Sequence, residues 1–347
     1  GRVPVASPMS WLYVAAVANP RTGIAAGLCS ALCAGLLVLP AVLPAAPAAA
    51  ALELPAGSSA PESPSTPMAP EPEFVDVAPI GDGSPIESGS ITSTRNFRDV
   101  SGSAHARLRT SEGKTVRPGL AYRSNKLTDP TDEELARMAG AGVTRVIDMR
   151  NIRERSEQPD RLPAGVEYQV ADVVDVSQGV WFDENPVRTV GPSLATETPG
   201  IITDSASADA DAREDVFDDA TGDLGQLLGY QLMVTNSASQ RAFSDLLHAL
   251  ADEDGAVVFH CSAGKDRTGI GAAYLLRILD VPMADIDADF LASDAYLGRE
   301  NSVRLEWLHA TWDAIDRNYG NFDAYVRGSL GLTDADIDRL RAKYLEG

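Results

Sequence analysis

A short segment of the chain, HCSAGKDRTG at residues 260–269, brings together a thiol, a guanidinium and several small residues. Five residues separate Cys261 from Arg267. The apolar run GAVVF precedes the segment and the apolar run IGAAYLLRIL follows it, which predicts a strand, a loop and a buried helix in that order. The first amides of a helix have no partner within the helix and carry partial positive charge, so a junction of this kind binds anions.

The small residues of this loop suit a tetrahedral anion. Ser262, Ala263 and Gly264 let the backbone wrap closely around such a group. Cys261 lies at the bottom of the loop, and the same amides together with Arg267 are expected to hold its sulfur as a thiolate at neutral pH. Arg267 can bind two oxygens of a phosphoryl group in a fork. The spacing therefore predicts a loop that binds phosphate and presents a nucleophile to it.

The loop matches the Cys-x5-Arg-Thr signature of the cysteine-dependent protein tyrosine phosphatase superfamily, with Thr268 after the arginine. Further motifs narrow the resemblance to a family of bacterial secreted tyrosine phosphatases similar to the mycobacterial secreted enzyme. In chain order these motifs are STRNFRDVSG (93–102), RPGLAYRSNKL (117–127), VTRVIDMRNIRER (143–155) and HCSAGKDRTG. The resemblance covers residues 90–300 and departs from the family pattern at DVSG, where Gly-Gly is expected after Asp-Val.

This resemblance implies a phosphoric monoester hydrolase, free of cofactors, that hydrolyses phosphotyrosine through a phosphocysteine intermediate. The family acts on phosphotyrosine, to varying extents on phosphoserine and phosphothreonine, and on phosphoinositides. A phosphorylated protein and a phosphoinositide are therefore both open as the substrate. An alternative from another class is a non-catalytic module that captures phosphorylated ligands. The intact thiol and guanidinium favour the enzyme, because binding alone needs no thiol.

Roles for the loop residues follow from the resemblance. Cys261 is predicted to be the nucleophile, and Arg267 is predicted to bind the phosphate and stabilise the charge of the transition state. Thr268 would donate a hydrogen bond to the departing sulfur, with a simple helix cap as the alternative. His260 is expected to order the loop rather than to transfer protons. The predicted phosphate-binding residues are Ser262, Ala263, Gly264, Lys265 and Thr268.

Four basic residues, one in the loop and three elsewhere, each have two interpretations. Lys265 would add positive charge at the mouth of the pocket, or it is a solvated lysine that screens the acid beside it. Arg98, Arg123 and Arg150 each follow a short apolar segment and could surround the site. The alternative for these arginines is a set of structural salt bridges.

The leaving group also needs a general acid, and several aspartates are candidates. Asp266 comes first, because it lies inside the loop and the resembled family has an aspartate there with a proposed catalytic role. Asp148 comes second, because it ends a strand whose carboxyl end faces the same sheet edge. Asp172 comes third, and it and Asp175 follow the next strand, where many superfamily members carry a general-acid loop. The alternative for each is an ordinary aspartate at a strand end or in a turn.

The fold class follows from the alternation of strand-like and helix-like segments in the globular part. Strands are predicted within residues 119–124, 143–149, 166–173 and 256–260. Capping boxes predict helices that begin near Thr131 with Glu134 and near Ser237 with Gln240. Strands separated by helices predict an α/β fold with a mainly parallel central sheet flanked by helices, tyrosine-phosphatase-like, with a helical C-terminal part.

Composition divides the chain into three regions. Residues 1–51 contain Arg21, an apolar stretch and an Ala-rich end, which predicts a signal peptide and a secreted, extracellular bacterial protein. The alternative is an uncleaved membrane anchor. Residues 52–89 are rich in Pro, Ser, Ala and Glu and predict a disordered linker. Residues 90–347 form the predicted phosphatase domain, in which 174–222 is an acidic insertion and a candidate lid.

Charge and composition exclude several other classes. The 347-residue chain has a formal net charge of −21, which argues against nucleic acid as a partner. Its four histidines form no ligand-spaced cluster, so no metal is expected. Of three cysteines, Cys29 and Cys33 lie in the predicted signal. The exported protein would then keep Cys261 as a free thiol, with no membrane span.

Overall fold

The computed structural model describes residues 71–174 and 220–347. The predicted signal peptide, residues 52–70 of the predicted linker and residues 175–219 of the predicted insertion lie outside this part. The strands are β1 Glu73–Val75, β2 Arg98–Asp99, β3 Gly102–Ser103, β4 Ala106–Arg107, β5 Thr115–Val116, β6 Ala121–Ser124, β7 Val143–Asp148, β8 Arg161–Pro163, β9 Glu167–Val170, β10 Ala256–His260 and β11 Leu345–Glu346. The helices are α1 Asp132–Gly140, α2 Ile152–Glu157, α3 Ala220–Thr235, α4 Ser237–Asp252, α5 Arg267–Ile278, α6 Met283–Leu297, α7 Leu305–Tyr319, α8 Phe322–Gly328 and α9 Asp334–Tyr344.

The central sheet has five strands in the order β2-β6-β10-β7-β9. Strands β6, β10, β7 and β9 pair in parallel, and β2 pairs antiparallel with β6 at one edge. This confirms the predicted α/β fold with a mainly parallel sheet. Because the four parallel strands share one direction, their carboxyl ends meet at the same edge, where binding sites of such sheets form.

Strand β10 lies in the middle of the sheet and is buried throughout. Its side chains alternate between two cores, because successive residues of a strand point to opposite faces. Val257 and Phe259 pack into the core formed with α4 and α5, and Ala256 and Val258 pack into the core formed with α1. Both faces are covered, so the strand is a continuous apolar run.

The segment before residue 90 differs from the predicted disordered linker. Strand β1 pairs in parallel with β8, and Glu73 N donates to Asp160 O at 2.8 Å. Further along, Ile80 N donates to Ala136 O, and the buried Ile86 donates its N–H to the Tyr122 hydroxyl at 2.9 Å. Strand β1, Ile80 and Ile86 therefore attach this segment to the domain, because distant elements supply hydrogen-bond partners that the composition of the segment does not reveal.

The N-terminal cap predicted for α1 is observed, and the cap predicted for α4 is not. The capping box of α1, between Thr131 and Glu134, is confirmed. Helix α4 instead takes Asn236 as its N-cap, whose side chain accepts hydrogen bonds from the next turn, so the predicted pair of Ser237 and Gln240 is wrong. An asparagine oxygen reaches the free amides as well as a serine hydroxyl does, and here it lies one residue earlier.

Helix α3 was missed by the sequence prediction, and its first turn falls inside the predicted insertion 174–222. It packs against α7, and α6 to α9 form the helical C-terminal part that the sequence predicts. Among residues 71–174 and 220–347, no helix is both long enough and apolar enough to cross a membrane.

Candidate active site

The thiol, the loop and the arginine lie at the carboxyl edge of the central sheet. Strand β10 ends at His260, and α5 begins at Arg267, so residues 261–266 form the connection. Cys261 is the first residue of this connection and is 2% exposed. The structure therefore places the predicted nucleophile at the base of a loop, between a central strand and a helix N-terminus, where the free amides attract anions.

Three successive carbonyl oxygens of the loop are bound from outside it. The bonds are Lys126 N to Ser262 O at 3.1 Å, Asn96 Nδ2 to Ala263 O at 3.2 Å and Arg123 Nη2 to Gly264 O at 3.0 Å. A trans peptide places its N–H opposite its C=O. The amides of residues 263–265 therefore point to the opposite side of the loop, which gives a concave surface of N–H donors suited to phosphate oxygens.

Glycine is required at position 264. Its φ of +71° lies in the left-handed region, and a Cβ there would lie 2.3 Å from Ser124 O. Any other residue would be strained by its backbone and would collide with the end of β6. Gly264 therefore lets the loop lie close against β6, with the Gly264 carbonyl directed away from the concave surface of N–H donors.

Arg267 is held by a residue that the sequence analysis missed. The carboxylate of Glu154, on α2, accepts hydrogen bonds from Arg267 Nη1 at 2.7 Å and from Arg267 Nη2 at 2.6 Å. It also accepts a hydrogen bond from the Ser262 hydroxyl. Burial opposes ionisation of Glu154, but the charge and hydrogen bonds of Arg267 prevail and lower its pKa to about 2. Glu154 also forms a capping box with Asn151. That Asn-x-x-Glu pattern is a sequence signal that could have revealed both α2 and this residue.

Thr268 is fully buried at the start of α5. Within the described part of the chain, its Oγ1 makes no hydrogen bond. A buried hydroxyl without a protein partner is costly unless another group uses it. The Thr268 hydroxyl, unpaired among the described residues, agrees with the predicted hydrogen bond to the sulfur of Cys261 or to a bound phosphate.

Lys265 and Asp266 contact a wall formed by α3 and α7. Lys265 Nζ donates to Ser302 O at 3.0 Å and lies 5.7 Å from the centre of the Trp307 ring. Asp266 lies 3.3 Å from Lys265 Nζ through one oxygen and accepts the Tyr230 hydroxyl at 2.5 Å through the other. Burial raises the pKa of Tyr230 well above its ordinary value, so this hydroxyl keeps its proton. Both oxygens of Asp266 are thus occupied by donors, which favours a positioning role over proton transfer.

Asp148, predicted as a catalytic acid, is instead sealed inside the protein. It is 0% exposed and accepts hydrogen bonds from Arg150 Nη2 at 2.7 Å and the Tyr168 hydroxyl at 2.8 Å. Burial opposes its ionisation, but the charges of His260 and Arg150 and the bonds from Arg150 lower its pKa. A buried carboxylate with these partners has no route to a leaving group, so the structure argues against Asp148 as the acid.

His260 belongs to the same buried cluster beneath the loop. Its Nε2 lies 3.0 Å from Asp160 and 4.0 Å from Asp148. In the described part of the chain, these three residues also form one group with the spacing of metal ligands. Arg150 contacts both carboxylates, at 2.7 and 2.9 Å, and already supplies the positive charge. The arrangement therefore acts as an ion network that supports the end of β10.

Arg98 and Arg123 lie behind the loop rather than in its concave face. Both pair with Asp289 of α6, at 3.1 and 2.5 Å, and their side chains are 3% and 0% exposed. Arg98 also donates to Asn96, which holds the loop carbonyl of Ala263. Arg98, Arg123 and Arg150 therefore form structural salt bridges, which is the second of the two interpretations given above.

Asp172 lies just beyond β9, and Asp175 lies outside the described residues. The Asp172 side chain is 23% exposed and lies 3.6 Å from Arg155. Burial raises its pKa to about 7, against the opposing charges of Arg155 and Arg267. Asp172 therefore combines a partly exposed carboxyl group with the ability to carry a proton near neutral pH, whereas Asp148 is fully buried.

Comparison with known proteins agrees with this site. The sequence model described as "Tyrosine phosphatase family" matches residues 90–346. The triple specificity protein phosphatase PtpB of Mycobacterium tuberculosis is 28% identical over 283 residues, which cover 72% of this chain and 96% of that protein. A tyrosine-protein phosphatase of Nostoc commune is 27% identical over 258 residues, which cover 66% of this chain and 76% of that protein. The chain therefore belongs to the tyrosine phosphatase family.

Proposed function

We propose that this protein is a protein-tyrosine phosphatase that works through a phosphocysteine intermediate on Cys261. Its family membership supports phosphatase activity. The observation that carries the proposed mechanism is the loop of residues 261–267, whose carbonyls face outward while its amides face the opposite side, with Cys261 at its base and Arg267 at its end.

In the proposed reaction, the phosphoryl group of the substrate lies on the amides of residues 263–265. The Cys261 sulfur attacks phosphorus, the bond to the leaving oxygen breaks, and that oxygen takes a proton. Arg267, oriented by Glu154, binds two phosphoryl oxygens and stabilises the charge of the transition state. Water then attacks phosphorus, the sulfur leaves, and Thr268 donates a hydrogen bond to it.

The substrate is proposed to be phosphotyrosine in a protein, with phosphoserine and phosphothreonine as further substrates. The names of the two relatives support this choice, one as a tyrosine and one as a triple specificity phosphatase. A phosphoinositide is the second candidate, because Lys265 puts a cation on the wall beside the loop. A non-catalytic binding module fits less well, since Cys261 is buried at the base of the loop and binding needs no thiol there.

Export from the cell is a separate part of the proposal. It rests on Arg21, the apolar stretch of residues 24–43 and the Ala-rich end near residues 48–51. N-terminal sequencing of protein recovered from the culture medium tests it. A start shortly after residues 48–51 supports export, and recovery of the intact chain from the membrane fraction supports the anchor instead.

The activity is tested on the full chain in the presence of a chelator. We expect hydrolysis of phosphotyrosine peptide to exceed that of phosphoserine peptide and of phosphoinositide vesicles. Cys261→Ser should abolish turnover while tungstate binding survives, because the amides and Arg267 remain. Turnover by the serine variant at the wild-type rate would refute the mechanism. Faster hydrolysis of phosphoinositide vesicles than of phosphotyrosine peptide would make a phosphoinositide the substrate instead.

A further inference from the structure

The residue that gives the leaving group its proton can be identified from the end of β9. We propose that the carboxyl group of Asp172 donates this proton when Cys261 attacks phosphorus. The inference rests on the proposed function, and it assigns the acid to the aspartate that the sequence placed third.

The chain around Asp172 is fixed against the carboxyl end of β7. Ala171 N donates to Asp148 O at 2.8 Å, and Val173 N donates to Met149 O at 3.4 Å. The backbone on either side of Asp172 is therefore held by the neighbouring strand and the residue that follows it.

This attachment brings Asp172 to the catalytic arginine. The Met149 carbonyl that accepts Val173 N also accepts Arg267 Nη1 at 3.4 Å. One carbonyl oxygen thus links the Asp172 segment to the guanidinium that binds the phosphoryl group. The positive charge of Arg267 lowers the pKa of the Asp172 carboxyl group, against the larger effect of burial.

The exposure of the side chain also fits a donor. Ala171 and Val173, on either side of Asp172, are 2% and 1% exposed and belong to the main core. Asp172 is 23% exposed there. Its Oδ1 accepts a hydrogen bond from Val174 N at 3.0 Å, which fixes the carboxyl group, and its Oδ2 lies 3.6 Å from Arg155 Nη1, too far for a hydrogen bond, so Oδ2 can carry the proton.

The surrounding charges keep that proton available. The charged groups that act on Asp172 are Arg155 and Glu154 of α2 and Arg267 of α5. Burial raises the Asp172 pKa to about 7 despite the two arginines, and Glu154 acts in the same direction as burial. A bound phosphate dianion adds negative charge beside the same group, which raises the pKa further and favours the protonated acid.

With Asp172 as the acid, the bonds and protons balance in both steps of the proposed reaction. In the first, the S–P bond forms, the P–O bond breaks with its electron pair on oxygen, and that oxygen takes the proton from Asp172 Oδ2. In the second, the Asp172 carboxylate accepts a proton from water as the water oxygen bonds to phosphorus and the S–P bond breaks. Asp172 is restored as the acid and Cys261 as the thiolate.

The test compares two substrates that differ in how much their leaving group needs a proton. Phenyl phosphate needs an acid, and dinitrophenyl phosphate does not. We expect Asp172→Asn to lose about 10²- to 10⁴-fold in kcat/KM on phenyl phosphate and less than about threefold on dinitrophenyl phosphate. The ratio of the two rates is unaffected by partial unfolding, because the inactive fraction cancels. Asp172→Ser repeats the measurement if the asparagine variant does not fold.

Two controls separate the possible outcomes. Asp266→Asn should change both substrates by the same factor, and Glu157→Gln, which removes an exposed carboxylate of α2, should change neither. The basic limb of the kcat/KM profile for phenyl phosphate should be present in the wild type and absent in Asp172→Asn. Equal losses on both substrates in Asp172→Asn, or a selective loss in Asp266→Asn, would overturn the assignment. If Cys261→Ser hydrolyses dinitrophenyl phosphate, the proposed function itself fails.

Discussion

The carboxylate of Glu154 binds both terminal nitrogens of Arg267, with distances of 2.7 Å to Nη1 and 2.6 Å to Nη2. Through its capping box with Asn151, the same carboxylate fixes the first turn of α2. The guanidinium is therefore oriented before substrate arrives. In the proposed mechanism, this lowers the free energy needed to order Arg267 in the transition state.

Glu154→Gln should lower kcat/KM by about 10²-fold, because a neutral amide cannot hold both nitrogens of Arg267 and a misplaced guanidinium binds the transition state poorly. Steady-state kinetics on an aryl phosphate measure the effect. The matched control is Glu157→Gln on the same helix, whose side chain is 60% exposed and pairs with Arg153. Equal rates for the two variants would contradict the orienting role of Glu154.

Gly264→Ala should weaken phosphate binding and destabilise the fold. The backbone penalty for a left-handed alanine is about 1–2 kcal/mol, and the clash with Ser124 O adds to it. Gly298→Ala is the matched control, because Gly298 has a φ of +67° but nothing within 4 Å of its Cβ position. Denaturant unfolding and inhibition by tungstate measure the two effects. The prediction fails if both variants lose the same stability and the same affinity.

Asp148→Asn tests whether this buried aspartate supports the loop or donates a proton. Removing the carboxylate leaves Arg150 and His260 buried with one anion fewer, which should cost about 3–5 kcal/mol of unfolding free energy. The losses on phenyl and dinitrophenyl phosphate should be equal, because the residue supports the loop and does not touch the leaving group. A stable variant with a selective loss on phenyl phosphate would restore Asp148 as the acid.

Asp172→Asn should change the pH dependence of stability. The Asp172 pKa is raised from 3.8 to about 7 in the folded state, so its contribution to stability is complete below the lower value and is lost as the pH rises through the higher one. Asparagine cannot ionise. Relative to the variant, the wild type should therefore lose about 1–3 kcal/mol between about pH 4 and about pH 8, an amount reduced by partial exposure to solvent. Denaturant unfolding at the two pH values measures it, and parallel curves would contradict it.

The sequence predicted the parts of the site that are contiguous. The loop, the strand before it and the helix after it follow from local patterns, because an apolar run, small residues and an apolar helix stand next to one another. The positions of Cys261 and Arg267 therefore follow from residues 255–279 alone.

Partners from distant segments could not be predicted in this way. Glu154 lies 113 residues before Arg267, and Tyr230 lies 36 residues before Asp266, so no local pattern links either pair. The environment of Asp148 depends on Tyr168 and Arg150, whose contacts decide whether a strand-end carboxylate is exposed or sealed. Strand β1 could not be predicted for the same reason, because it pairs with β8, which is distant in the sequence.

In the proposed reaction, the phosphoryl group is transferred from the substrate to the Cys261 sulfur and then to water. The most direct measurement is mass spectrometry of the full chain quenched in acid during turnover of dinitrophenyl phosphate. We expect phosphate covalently attached to the peptide that contains Cys261, and none on the Cys261→Ser protein under the same conditions. Phosphate attached to another residue, or steady turnover by a chain that lacks this thiol, would contradict it.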